Sequence, residues 1–428
     1  MASLQISSNG RTLLRNGKPF FWLADTCWSA FTNITDKEWT EYLDLRAKQG
    51  FNVLQINALP QWDRCGSELG IYPFPTEDGF QFDFTSINPA YFERAAAMCR
   101  QAVDKGFIPA IVVMWCNYVP DTWASHIMGG NVIPQDRVEP IVRTICETFD
   151  PFDPIYIISG DTGFDAPATV ERYRYVTELV EHFSPDTFKC YHIKGRYDVL
   201  PEELAQHADA YLYQSGHNAG GQGTAVTLAE SFLAREPRLP VINSEPCYEQ
   251  MGYSHMLYGR FRQPEIRAAM WNSILSGACA GITYGANGVW NWQKDGMPKN
   301  PMGGEGFLVG FSWDRAVRLP GAWDYAFARK FMEEHDFGPL TPAQEVLGKY
   351  ENEVRAARSG DTLLLYVPTN APLILKMDCS RYTITAVDLE SHETSQLPFT
   401  VGEDGQTRTG IHPYLADALL LIERKWNG

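Results

Sequence analysis

Eight short apolar runs, each followed by a stretch of helical periodicity, constrain this chain more than any other feature of its sequence. They are Phe20–Ala24, Asn52–Asn57, Ile108–Trp115, Ile155–Ser159, Lys189–Ile193, Ala210–Gln214, Val241–Ser244 and Gly281–Tyr284. Between them lie amphipathic stretches such as Asp36–Gln49, Pro89–Lys105, Gln135–Thr148, Ala166–His182, Val226–Arg235 and Glu265–Leu275. Several close on glycine, as in AKQG and AVDKG, the usual helix stop. Strands that are apolar on both faces need cover on both faces, which parallel sheets with right-handed helical crossovers provide. The pattern predicts a closed (β/α)8 TIM barrel. A doubly wound open sheet is the alternative, but no GxGxxG follows the first run.

The flanks differ from this repeat. Leu4–Leu14 and Lys18–Trp22 surround turn residues and predict an N-terminal β-hairpin, and Trp323–His335 predicts a closing helix. The Gly-, Pro- and Met-rich loop Gln293–Arg315 is expected to cover part of the barrel mouth. After Gly338 the helical signal ends, and EVRAARSGDTLLLYVPTNAPLILKM, YTITAVDL and ALLLIERKW read as strands separated by turns. The expected organisation is a barrel over residues 1–338 and a small β-sandwich over 339–428 that packs against it.

Composition narrows the ligand. The net charge is −16 and no basic run stands out, so nucleic acid is not an expected partner, polyanions are disfavoured and a neutral ligand fits better. No apolar run is long enough to span a bilayer, so no membrane partner is expected. The N-terminus lacks the apolar core of a secretion signal, which predicts a cytoplasmic location. Nine cysteines, an odd number without a CxxC pair, exclude a disulfide framework or zinc ribbon and fit a reducing compartment. Cys247 reads as a small buried filler.

In a barrel of this kind, the residues just past the C-terminal ends of the strands build the site. Taken in order they are Asp25 and Trp28, then Asn57, then Trp115 and Asn117, then Asp161, His192, Gln214 and His217, Glu245 and Glu249, and finally Tyr284 and Trp290. Carboxylates and amides hydrogen-bond hydroxyl groups, and indole faces pack on the C–H face of a sugar ring. Each residue singly reads more readily as rim packing. Their joint placement points to carbohydrate binding.

Two acids dominate this set. In VINSEPCYEQ, an apolar strand runs into Glu245 and is stopped by Pro246, which holds Glu245 extended. Glu245 is thus expected as the last extended residue of its strand, at the sheet rim. Asp161 ends the fourth run, after Ser159 and Gly160. Strands four and seven lie across the mouth of an eight-stranded barrel, so the two carboxylates can converge. A protonated and an ionised carboxyl flanking one glycosidic bond are what glycoside hydrolysis requires.

NGKPFFWLADTCW, LRAKQGFNVLQIN, YIISGDTGFD, YLYQSGH, INSEPCYE and GITYGANGVWNW occur in this order, and with them the chain resembles the apiosidase-like family of glycoside hydrolases. The resemblance implies a (β/α)8 barrel with a C-terminal β-domain and a retaining mechanism. It implies Asp161 as acid/base and Glu245 as nucleophile, and no cofactor. It implies a terminal β-apiose, or a similar furanose, cut from a plant-derived glycoside or oligosaccharide. The family's usual Gly-Gly-Asp is Ser159-Gly160-Asp161 here, so the aspartate is kept and the first glycine is not. Glu249 reads as support for Tyr248 and its loop, or as an acceptor for a sugar hydroxyl.

Three rivals remain in view. The same mechanism could act on an arabinofuranoside or a pyranoside. A metal-dependent barrel hydrolase would want His-x-His after the first strand, where this chain has DTCW; no metal site is expected. A non-catalytic carbohydrate-binding protein would have no need of both acids. Ser-His-Asp chemistry is disfavoured because GxSxG is absent.

Overall fold

The computed structural model describes residues 3–253, 257–297, 309–348 and 354–425. Its centre is a closed parallel barrel of β1 (Trp22–Thr26), β2 (Val53–Asn57), β3 (Ile108–Trp115), β4 (Ile155–Gly160), β5 (Phe188–His192), β6 (Ala210–Tyr213), β7 (Val241–Asn243) and β8 (Gly281–Tyr284). Every residue of these strands is buried. The ring closes where β8 pairs with β1, Gly281 opposite Trp22 and Tyr284 opposite Asp25. A Cβ at Gly281 would stand 2.3 Å from that of Trp22, so only glycine fits at this crossing. Polar groups inside the barrel satisfy one another: Thr283 Oγ1 donates to Gln55 Oε1 (2.8 Å), and Gln55 Nε2 donates to Ser244 O (3.2 Å).

The helical layer consists of α1 (Asp36–Lys48), α2 (Pro89–Asp104), α3 (Gln135–Phe149), α4 (Pro167–Phe183), the single turn α5 (Glu202–Ala205), α6 (Thr224–Leu233), α7 (Gln263–Leu275) and α8 (Gly321–His335). Local sequence sets their starts. Thr35 and Glu38 form a capping box on α1, and proline opens α2 and α4 at the position where a missing N–H costs nothing.

The N-terminal segment departs from the expected hairpin. It forms three antiparallel strands, Leu4–Ile6, Leu13–Arg15 and Lys18–Phe20. The last of these takes Phe20 into that sheet, so β1 begins two residues later than its apolar run. Strand β7 stops at Asn243, and Glu245 lies beyond it. Its carbonyl instead accepts from Gly216 N–H in the β6 loop (3.2 Å). The expectation for loop Gln293–Arg315 falls partly on residues 298–308, outside the described residues; on its described part, Trp313 stacks on Trp292 at 4.7 Å.

Beyond α8 lie two antiparallel sheets, of six and three strands. The central strand β11 (Thr362–Val367), numbered after β9 (Thr341–Pro342) and β10 (Arg355–Ser359), shows why its sequence TLLLYV is apolar throughout. Leu363, Leu365 and Val367 join the core between the two sheets, whereas Leu364 and Tyr366 join the barrel's core. Successive side chains of a strand point to opposite faces, and here both faces are covered. The contact with the barrel includes a buried charge cluster. Arg267 on α7 donates through Nε to Asp417 (2.9 and 3.0 Å) and through Nη1 to Asp324 on α8 (3.2 Å), and Tyr366 donates to Asp417 (3.1 Å). Removing one partner of such a cluster strands buried charge, at a cost of about 3–5 kcal/mol.

Candidate active site

The C-terminal ends of the strands surround a cavity of about 370 Å³. Of the residues singled out in the sequence, Trp28, Trp115, Asp161, Gln214, His217, Glu245 and Trp290 line it. Trp28 and Trp115 meet at 5.2 Å with rings inclined by 59°, forming one apolar wall.

Glu245 is the most tightly held of these groups. His217 Nε2 lies 2.9 Å from Oε1, and His192 Nε2 lies 3.2 Å from Oε2, off the line of a full hydrogen bond. Backbone amides decide what these imidazoles carry. Asp161 N–H donates to His192 Nδ1 (3.0 Å), and Tyr248 N–H donates to His217 Nδ1 (3.3 Å). Each Nδ1 is therefore an acceptor, and the proton of each neutral ring is assigned to the Nε2 that faces Glu245. Burial alone would raise the Glu245 pKa; the two imidazole donors outweigh it and hold the carboxyl down at about 2. Glu245 is thus an anion at any ordinary pH. The same tautomers speak against a metal at these histidines, because ligation through Nε2 would force a proton onto Nδ1, against an amide N–H.

Asp161 stands past β4 with φ +48°, a left-handed conformation that aspartate tolerates better than most residues. Its N–H reaches His192, its carbonyl accepts from Trp123 Nε1 (2.9 Å), and the residue is half-buried at the cavity. The preceding Gly160 is dictated by Trp115: a Cβ there would lie 2.1 Å from the indole. Ser159, where the resemblance leads one to expect glycine, donates from Oγ to the carbonyl of His192 (3.0 Å) and so clasps β4 to β5.

Six of the sequence-derived residues do not line the cavity. Asp25 and Tyr284 are paired across the β8–β1 seam and both face outward, because the pleat turns Thr26 and Thr283 inward. Asp25 is fully buried against α1, accepting from Tyr42 Oη (2.7 Å) and Arg46 Nε (2.6 Å). Tyr284 donates to Glu249 Oε2 (2.6 Å), which also accepts the N–H of Gly321 at the start of α8 (2.9 Å). Glu249 therefore joins the barrel to its last helix. Asn57 is buried with Nδ2 on Gln61 Oε1 (2.8 Å), and Asn117 is enclosed in a turn of 3-10 helix. His192 does not line the cavity; its ring packs against Trp28 and Trp115, which do.

Other lining residues were not singled out: Gln61, Asp63, Trp123, Lys194, Arg196, Asn218, Tyr248 and Met251. Lys194 and Arg196 stand two and four residues after His192 in HIKGR, so reading three residues past the predicted strand Lys189–Ile193 reaches both. They bring two cationic side chains to the cavity of a chain whose net charge is −16. Lys194 Nζ lies 3.5 Å from Asp165 Oδ2, close to the Asp161 loop. Gln61 and Asp63 sit in a long loop without periodic signal, and Trp123 opens the short helix Trp123–Ile127. Among the described residues no group of three His, Cys, Asp or Glu side chains is arranged to hold a metal ion, and no helix is long and apolar enough to cross a membrane.

Glu249 carries a pH consequence. Burial pushes its carboxyl from 4.5 up to about 7, although Tyr284 and the Gly321 N–H pull the other way. A raised pKa means that the folded protein prefers the protonated acid. Its contribution is complete below the ordinary value of 4.5 and is lost as pH rises through about 7. This loss amounts to about 3 kcal/mol. Glu249→Gln is expected to remove that component, so that urea unfolding of wild type and variant diverges in favour of the variant as pH rises from about 4 to about 8. Parallel curves would show Glu249 to be ionised in the fold.

A closed eight-stranded barrel whose mouth gathers carboxylates among indoles has the architecture of a glycoside hydrolase. The chain matches the apiosidase-like catalytic domain over residues 7–338 and belongs to that family of glycoside hydrolases. Solved structures agree on the fold. A protein described as a glycoside hydrolase superposes with a TM-score of 0.80 at 21% identity, covering 99% of this chain and 97% of its own. A family 5 glycoside hydrolase from Bacteroides vulgatus gives 0.81 at 22% identity, over 99% and 93% of the two chains. A family 5 mannosidase from Rhizomucor miehei is more distant, with a TM-score of 0.53 at 12% identity over 78% of this chain and 99% of its own. A search of curated proteins gives no match.

Proposed function

We propose that this glycoside hydrolase is a retaining enzyme that removes a terminal β-apiosyl residue, or a similar furanose, with Glu245 as nucleophile and Asp161 as acid/base. The observation that carries the roles is the difference between Glu245 and Asp161 within one cavity, which Asp63 also lines. Glu245 is bonded to His217 Nε2, has His192 Nε2 3.2 Å from its other oxygen and is held as an anion, whereas Asp161 faces the same space on a half-buried turn. In the first step Glu245 attacks the anomeric carbon, the glycosidic C–O bond breaks, and Asp161 passes its proton to the departing oxygen. In the second, Asp161 takes a proton from water, the water oxygen attacks the same carbon, and Glu245 leaves. Two inversions retain the configuration.

Family membership supports the sugar, and the cavity supports its size: about 370 Å³ suits one or two small rings better than a long glycan. Lys194 follows β5 near the Asp161 loop, paired with Asp165, and Arg196 lines the same cavity. The test is a set of aryl glycosides of β-apiose, α-arabinofuranose and common pyranoses, with first-formed products followed by NMR. At least a tenfold preference in kcat/KM for the apioside and a retained anomer are expected. Preference for a pyranoside would reject the sugar, and an inverted first product would reject the mechanism.

A further inference from the structure

His192 touches both halves of the machinery. Its Nδ1 accepts the backbone N–H of Asp161 at 3.0 Å, and its Nε2 faces Glu245 Oε2 at 3.2 Å. The ring is completely buried, parallel to Trp115 at 5.9 Å and edge-on to Trp28 at 5.5 Å. Ser159 Oγ holds its carbonyl from the neighbouring strand. The peptide that carries this N–H leads directly into the left-handed φ of +48° at Asp161, so the contact anchors the turn at its entry.

We infer that His192 is a double-ended positioning residue, a neutral imidazole that ties the turn bearing Asp161 to the carboxylate of Glu245 and so sets the two groups relative to each other. The inference rests on the proposed roles of those two residues. One end steadies the nucleophile as an anion. The other holds the acid/base turn in its strained conformation. A charged ring does not fit, because a proton on Nδ1 would oppose the Asp161 amide. The remaining titratable groups around Glu245 are His217, which donates from the β6 loop, and Tyr248 beside it. Asp63, Asp161, Lys194 and Arg196 line the same cavity.

The two ends can be tested apart. In His192→Asn the amide oxygen replaces Nδ1 and still accepts the Asp161 N–H, but nothing reaches Glu245. In His192→Gln the amide nitrogen replaces Nε2 and still faces Glu245, but the acceptor for Asp161 is lost. Both variants are assayed with the 2,4-dinitrophenyl and phenyl glycosides of the sugar that wild type turns over fastest. For His192→Asn we expect kcat/KM to fall on both substrates alike, by about tenfold or more, with the acidic limb of its pH profile moving upward. For His192→Gln we expect the phenyl glycoside to suffer at least tenfold more than the dinitrophenyl one, with the acidic limb unmoved. Equal losses and equal profiles in the two variants would reduce His192 to packing and overturn the inference. A substrate-free readout stands beside this. In protein labelled with 15N-histidine, the resonances lost in His192→Asn are expected to show a neutral ring protonated at Nε2 at pH 6 to 7; an imidazolium or the other tautomer would overturn it equally. If the nucleophile assignment itself is wrong, Glu245→Gln remains active, an outcome separate from both.

Discussion

Glu245→Gln is expected to lower turnover by at least about a thousandfold while leaving the barrel folded, because an amide can neither attack the anomeric carbon nor leave as a carboxylate. The local cost is modest. One amide oxygen can still accept from His217, but the amide N–H₂ then faces His192 Nε2, a donor against a donor, and such a mismatch costs about 1–3 kcal/mol. The site also has an acid signature. Folding depresses the Glu245 pKa from 4.5 to about 2, so its stabilising contribution is present above 4.5 and is lost as pH falls through about 2. Unfolding of wild type below about pH 4 should therefore steepen relative to the variant, by up to about 3 kcal/mol in total. A 2-fluoro glycoside should label the peptide that contains Glu245. Labelling elsewhere, or a variant that keeps a tenth of the wild-type rate, would remove Glu245 from the mechanism.

Asp161→Asn should discriminate between leaving groups. Phenyl and alkyl glycosides need a proton as the bond breaks and should lose about a hundredfold or more in kcat/KM, whereas dinitrophenyl glycosides should lose far less in the first step. Added azide should then speed the second step with the activated substrate, since it needs no general base. Asparagine is the suitable replacement. It tolerates the left-handed φ of +48° and preserves the N–H to His192, so the comparison isolates the carboxyl. An equal loss on both substrates would make Asp161 a binding group.

The barrel was legible because its physics is local. Each buried strand needs a short apolar run and each helix a start and a stop, and the observed bounds follow the predicted ones within a residue or two along most of the barrel. Where they differ, a neighbour in space decided. Phe20 was claimed by the small N-terminal sheet, and the pairing of Val241–Asn243 with β6 makes its last ladder bond from Ser244 N–H to the carbonyl of Tyr213 (2.8 Å), after which the Glu245 carbonyl accepts from Gly216 N–H.

The site was legible in part, and the misses share one cause. Reading strand ends collects residues near the mouth but cannot tell which side of the pleat each occupies. Asp25 and Trp28 lie three positions apart in one sequence stretch, yet one is sealed against Arg46 and the other walls the cavity. Glu249 and Tyr284 likewise found each other outside the barrel. Asp63 lies in a loop, and Trp123 opens the short helix Trp123–Ile127, where nothing in the local pattern marks a functional residue.

The sequence by itself determined the alternation of strands and helices and the positions of Asp161 and Glu245 just past apolar strands, because burial and backbone preference act over a few residues. Only the tertiary structure decided the state of Glu245. Its anionic form depends on His192 from β5 and His217 from the β6 loop, and their tautomers depend in turn on the amides of Asp161 and Tyr248. Those groups come from four different loops or strands, separated by about 30 residues or more where they touch, and are neighbours only once the barrel has closed. A proton's location is set by the donors and acceptors within about 3 Å, and at that range chain order carries no information.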